Sequence, residues 1–132
     1  MVEPFLGTWV LESSENFQEY LKELGVPVTI RPLAASEKPR IRISAPGDKV
    51  SIRTETSFKN FEISFRLGEE FDEATADGRH VKSVVNLDGN SLVHVQRWLG
   101  KETTIRRQVV DKKMVAKHTM NNVVSRRVFK RV

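Results

Sequence analysis

From residue 40 to its end the chain is interrupted by turn-forming pairs about every ten residues, and this punctuation limits its fold more than any other feature. The breaks fall at Pro46-Gly47-Asp48, Lys59-Asn60, Leu67-Gly68, Asp77-Gly78, Asp88-Gly89-Asn90, Leu99-Gly100-Lys101, Asp111-Lys112 and Asn121-Asn122. Gly, Asn and Asp are the residues that tolerate the left-handed backbone a tight hairpin needs. Between the breaks lie runs rich in β-branched and aromatic residues, over 40–45, 49–57, 61–66, 79–87, 91–98, 103–110, 113–120 and 123–131. A strand at 5–12 and a short one at 70–74 bring the expected number to ten. Connections this short cannot carry a parallel crossover, so consecutive strands pair antiparallel. The expected fold class is all-β, a ten-stranded up-and-down antiparallel barrel forming one domain over 1–132.

One helix stands out, from about Asn16 to Leu24. Phe17, Tyr20, Leu21 and Leu24 share a face at i, i+3, i+4 and i+7, Ser13 or Ser14 can cap its start, and Gly25 supplies a left-handed stop. Several strands are polar on both alternating faces, as in 103–110 and 125–132. A dry core would punish that pattern, because a buried unpaired charge costs several kcal/mol or changes its ionisation. A hydrated cavity tolerates it, and a ten-stranded barrel is wide enough to contain one.

The net charge of +5 is uneven, since residues 101–132 hold ten Lys or Arg against Glu102 and Asp111. An anionic partner is implied, either a membrane surface, a nucleic acid or a buried acid. The basic strands carry only Phe129 among their arginines, which argues against a base-stacking platform and so against nucleic acid. Cysteine is absent, and His80, His94 and His118 lack metal-ligand spacing. No nucleophile triad, phosphate loop or carboxylate pair is evident, so neither an enzyme nor a bound cofactor or metal is expected. Glu69-Glu70 and Asp72-Glu73, flanking Phe71, read as a solvated turn. There is no signal-peptide pattern and no run of roughly 20 apolar residues, so a cytoplasmic protein is expected.

Phe5-Leu6-Gly7-Thr8-Trp9, followed by the helix ending Leu24-Gly25-Val26, resembles the opening of the intracellular fatty-acid-binding proteins. Trp98-Leu99-Gly100-Lys101-Glu102-Thr103-Thr104 and Met120-Asn121-Asn122-Val123 extend the resemblance towards the testis, adipocyte and myelin members. It implies a β-clam, a barrel with a short helical lid, carrying a long-chain fatty acid between membranes. It also implies a second lid helix, which Pro27 suits at its first turn and Pro32 should shorten, kink or displace. The doublets Arg106-Arg107 and Arg126-Arg127 each aim one guanidinium inward, because side chains alternate along a strand. Alternation does not say which. The resemblance assigns Arg107 and Arg127 to the pocket, where they hold the ligand carboxylate.

By the same resemblance the pocket and its portal comprise Phe17, Tyr20, Val26, Ala34, Phe58, Ala76, Asp77, Gln96, Ala116, Ser125 and position 129. Phe58 is the expected gate. The family's tyrosine at position 129 is Phe129 here, which removes a hydroxyl donor. His118 stands where a small cysteine is usual, and is the candidate replacement donor to the carboxylate. An imidazole beside two guanidiniums should be neutral. These departures mark a divergent member, natural or redesigned, with a shifted, retinoid-like specificity as one alternative. A peripheral membrane adaptor using the basic C-terminal strands is the other. A monomer with transient anionic membrane contact is expected.

Overall fold

The computed structural model describes all of residues 1–132. A 3-10 turn at Glu3–Phe5 leads into ten strands: β1 Gly7–Glu15, β2 Arg40–Ser44, β3 Val50–Glu55, β4 Asn60–Phe65, β5 Phe71–Ala74, β6 His80–Asp88, β7 Ser91–Trp98, β8 Lys101–Val110, β9 Lys113–Met120 and β10 Val123–Arg131. Two helices, α1 at Phe17–Leu24 and α2 at Arg31–Ser36, fill the connection between β1 and β2. The sheet order is β4-β3-β2-β1-β10-β9-β8-β7-β6-β5, every neighbouring pair antiparallel. Up-and-down connectivity is therefore realised, with β1 and β10 joined and β4 and β5 unpaired. Phe65 and Phe71 stack across that gap at 5.3 Å.

The strand boundaries follow the turn punctuation to within a residue or two, with one exception. β1 runs on to Glu15 because a bulge between Leu11 and Ser13 lets it keep pairing with β10. The expected serine cap of α1 is therefore not formed. Ser13 and Ser14 are in the strand, and Asn16 takes the N-cap position in left-handed backbone at φ 62°. Its side chain donates to the Val124 carbonyl at 3.0 Å and ties the helix to β10. Gly25 ends α1 at φ 95°, as its position suggested.

Pro32 starts α2 and does not interrupt it. A turn closed by the Pro27 carbonyl precedes Ile30 and Arg31, and Pro32 then lies in the first turn, where no backbone donor is required. The helix is six residues long, and short as expected.

The closed end of the barrel holds the main core, built on Phe5, Trp9, Ile41, Ile43, Val85, Leu92 and Met114. Each such side chain contributes about 1.5–3 kcal/mol by leaving water. Trp9 is the anchor. Its Nε1 donates to the Phe5 carbonyl at 2.9 Å, and Arg131 lies over its ring at 4.1 Å. Gly7 makes room for that guanidinium: a Cβ there would sit 2.6 Å from Arg131 Nη1, on backbone at φ 126°. A smaller cluster of Tyr20, Leu21, Leu24, Val26 and Met120 fastens α1 to the open end.

Candidate functional site

Between the lid and the barrel wall lies a cavity of about 550 Å³. Alternation along β8, β9 and β10 fixes what faces it. Arg107 on β8 and Arg127 on β10 both register with Ala116 on β9, so the two guanidiniums flank one methyl group. Both are buried, whereas Arg106 is paired with Asp88 on the outside and Arg126 is exposed. The other outcome of alternation would have put Arg106 and Arg126 inside.

Neither interior arginine has a carboxylate partner. Arg127 Nε donates to Ser14 Oγ at 3.1 Å, and its guanidinium lies 3.8 Å over the Phe17 ring. Arg107 Nε and Nη1 and Arg127 Nη2 are buried and make no hydrogen bond. Burial pushes each pKa down to about 10, with Glu73 and Tyr20 partly resisting at Arg107. Both remain charged at neutral pH. A buried cation whose N–H groups are unpaired is costly, and an anion between the two would remove that cost.

His118 lines the cavity beside them, 5.6 Å from the Phe17 ring and 5.2 Å from the Tyr20 ring. Burial first, then the charges of Arg107 and Arg127, hold its pKa well below 6.5, so the imidazole is neutral and can donate from one nitrogen. Tyr20 cannot take that role. Thr103 spends its hydroxyl proton on the Thr119 carbonyl, so the Tyr20 hydroxyl must donate to Thr103 Oγ1 at 2.7 Å. Phe129 is buried in the wall and offers no donor.

Phe17, Tyr20, Val26, Ala34, Ala76, Asp77, Gln96, Ala116 and Phe129 all line the cavity. Phe58, on the β3–β4 turn, lines it while 72% exposed, as do the exposed Ile30 and Leu33 of the lid. Ser125 is not among the lining residues; it is buried and donates to the Glu15 carbonyl at 2.7 Å.

Sequence reasoning overlooked two charged residues of the interior. Arg79 grips Asp77 through two bonds of 2.7 and 2.9 Å, donates to Gln96 Oε1 at 3.1 Å, and covers Trp98 at 4.5 Å. Burial alone would raise the Asp77 carboxyl, but Arg79 outweighs it and holds it low. Glu73 corrects the reading of residues 69–73 as a solvated turn. It is on β5 and lines the cavity, accepting from Ser83, His94 and Gln96 at 2.8, 3.0 and 3.1 Å. Against the cost of its burial those donors, His94 foremost, keep it ionised. The signal was available: Phe71 is an inward residue, and Glu73 two positions on shares its face.

A nearly closed ten-stranded barrel under a helical lid, with unpaired cations deep inside, defines a β-clam whose interior is built to receive an anion. The chain belongs to the lipocalin / cytosolic fatty-acid binding protein family, which it matches over residues 6–132. It is 58% identical to fatty acid-binding protein 9 of Homo sapiens over 132 residues, covering all of both chains. It is 53% identical to the adipocyte fatty acid-binding protein of Pygoscelis papua over 131 residues, or 99% of each. A solved fatty acid binding protein of Schistosoma mansoni, in complex with arachidonic acid, superposes with TM-score 0.95 at 37% identity, covering 99% of this chain and 98% of the other.

Proposed function

We propose that the protein is a monomeric, noncovalent cytoplasmic carrier of a long-chain fatty acid, collecting it from one membrane and delivering it to another. The observation that carries this reading is the pair Arg107 and Arg127, buried, charged and without an acid partner. The carboxylate would lie between their free N–H groups, with His118 as an additional donor and the acyl chain against Phe17, Val26, Ala34 and Ala116. Charge counting supports a single acid group. The interior holds Arg79, Arg107 and Arg127 against Glu73 and Asp77, which leaves one positive charge to match. Passage would be beneath the lid past Phe58. Calorimetry of the delipidated protein against stearate, alongside Arg127→Ala, tests the reading. One-to-one binding that the substitution weakens by about tenfold or more supports it. Undiminished binding by the variant places the head group elsewhere, and a retinoic acid arm decides whether specificity has shifted.

The outer wall supports membrane contact beyond the portal. Arg106, Lys117 and Arg126 are register partners on β8, β9 and β10, forming one outward row of three cations. Only Arg106 forms an ion pair, with Asp88; Arg126 is opposite Glu15 of β1 in register but forms none with it. Like charges directly opposite on neighbouring strands repel, and an anionic bilayer would relieve them at about 1 kcal/mol per basic group. Sedimentation with phosphatidylserine vesicles should fall with salt, and fall again when the three are changed to Gln.

A further inference from the structure

Glu73 is a cost that an unbranched, unsubstituted acyl chain cannot offset. One of its oxygens, Oε1, takes all three protein donors, from Ser83 Oγ, His94 Nε2 and Gln96 Nε2 at 2.8, 3.0 and 3.1 Å. The other, Oε2, receives no hydrogen bond from the chain, yet it is not among the sealed, unpartnered atoms of the interior. Since Glu73 lines the cavity, Oε2 faces the ligand space. Of the interior cations, Arg79 is spent on Asp77 and Gln96, and Arg107, which feels the Glu73 charge through space, makes no hydrogen bond or ion pair with it.

The carboxylate is also held rigidly. Register places Ser83 beside Gln96, on β6 and β7, and His94 is on the same face two residues before Gln96. Donors from two strands therefore fix one oxygen of β5 and leave the other aimed inward. An ionised carboxylate is an acceptor only. A methylene chain lying on it removes its solvent and returns nothing, whereas a hydroxyl donates a charge-assisted bond. Sites built around a ligand hydroxyl discriminate strongly against the analogue lacking it.

We infer that Glu73 Oε2 is a second polar anchor, selecting fatty acids that carry a hydroxyl group along the chain. This rests on the carrier reading above, with Arg107 and Arg127 holding the acid end. The hydroxyl keeps its O–H bond intact and simply donates; no covalent step is involved.

The test is calorimetry of the delipidated protein with stearic acid, a positional series of monohydroxystearic acids, and the methyl ether of the best of them. One positional isomer should bind about tenfold more tightly than stearic acid, and its methyl ether, which has lost the donor, should lose that advantage. Glu73→Gln should abolish the preference for the hydroxy acid over its methyl ether, because the three protein donors hold the amide oxygen at the Oε1 place and turn to the cavity an N–H donor, which a hydroxyl and an ether oxygen can both accept. Equal binding of stearic acid and every hydroxy isomer overturns the inference and leaves the carrier reading standing. Equal binding of the hydroxy acid and its ether overturns it too. Failure of stearic acid and every hydroxy acid to bind overturns both readings, and the ligand-side comparison does not depend on the variant folding.

Discussion

At the residue scale the head-group site is defined by what its donors lack. Phe129 occupies the wall without a hydroxyl, and Tyr20 is committed to Thr103. Phe129→Tyr should therefore tighten stearate binding by about 1.5–3 kcal/mol if the new hydroxyl reaches the carboxylate, measured by calorimetry. Unchanged affinity would show that His118 already fills that position. His118 itself makes a pH prediction. Its folded pKa is depressed below the unfolded value of 6.5, so at pH values between the two the unfolded chain binds more protons. That contribution to stability is complete above about pH 6.5 and drains away as pH falls. Glu73 and Asp77 are also depressed, but from unfolded values of 4.5 and 3.8, so their loss comes in more acid solution. Urea midpoints at pH 7.5 and 5.5 should fall for the wild type and fall less for His118→Gln. Parallel losses would assign the slope to other groups.

At the element scale the barrel and its lid answer to different forces. The strands are held by continuous ladders and by the core around Trp9, whereas α2 buries no residue completely and the β3–β4 turn exposes Phe58. Elements with little buried apolar surface open at low free-energy cost. Phe58→Ser should accordingly leave the melting temperature almost unchanged, within about 0.5 kcal/mol of stability, while speeding both uptake and release of ligand in stopped-flow fluorescence. A large loss of stability with unaltered rates would mean that Phe58 is a packing residue and not a gate. The helix α1 is the firmer half of the lid. Asn16 binds it to β10, and Phe17 caps Arg127, so its position and the head-group site are mechanically joined.

At the scale of the whole molecule the interior carries one unmatched positive charge, so ligand charge should matter as much as ligand length. An α,ω-dicarboxylic acid as long as stearic acid should bind at least about tenfold more weakly, because its second carboxylate must leave water with no cation to meet it. Calorimetry at pH 7.5 checks this, and equal affinity would sink the charge-matching argument. What was legible in the chain was local. Turn chemistry at Asp88-Gly89-Asn90 or Asn121-Asn122 places hairpins because backbone sign is a property of neighbouring residues. The 3.6-residue spacing of Phe17, Tyr20, Leu21 and Leu24 places α1 for the same reason, and alternation requires that each arginine doublet be split between the two faces. Alternation could not say which arginine is inside, and it was family likeness, not local pattern, that chose Arg107 and Arg127. Other features were invisible until strands paired. The bulge after Leu11 moved the cap of α1 from serine to Asn16, and only the register of β6 and β7 brought Ser83, His94 and Gln96 together as donors to one oxygen of Glu73. The sequence alone determined where the backbone turns and which residues share a face. Only the tertiary structure decided which buried groups find partners and which are left open, because a hydrogen bond between strands depends on register and closure, and neither is encoded within reach of a single segment.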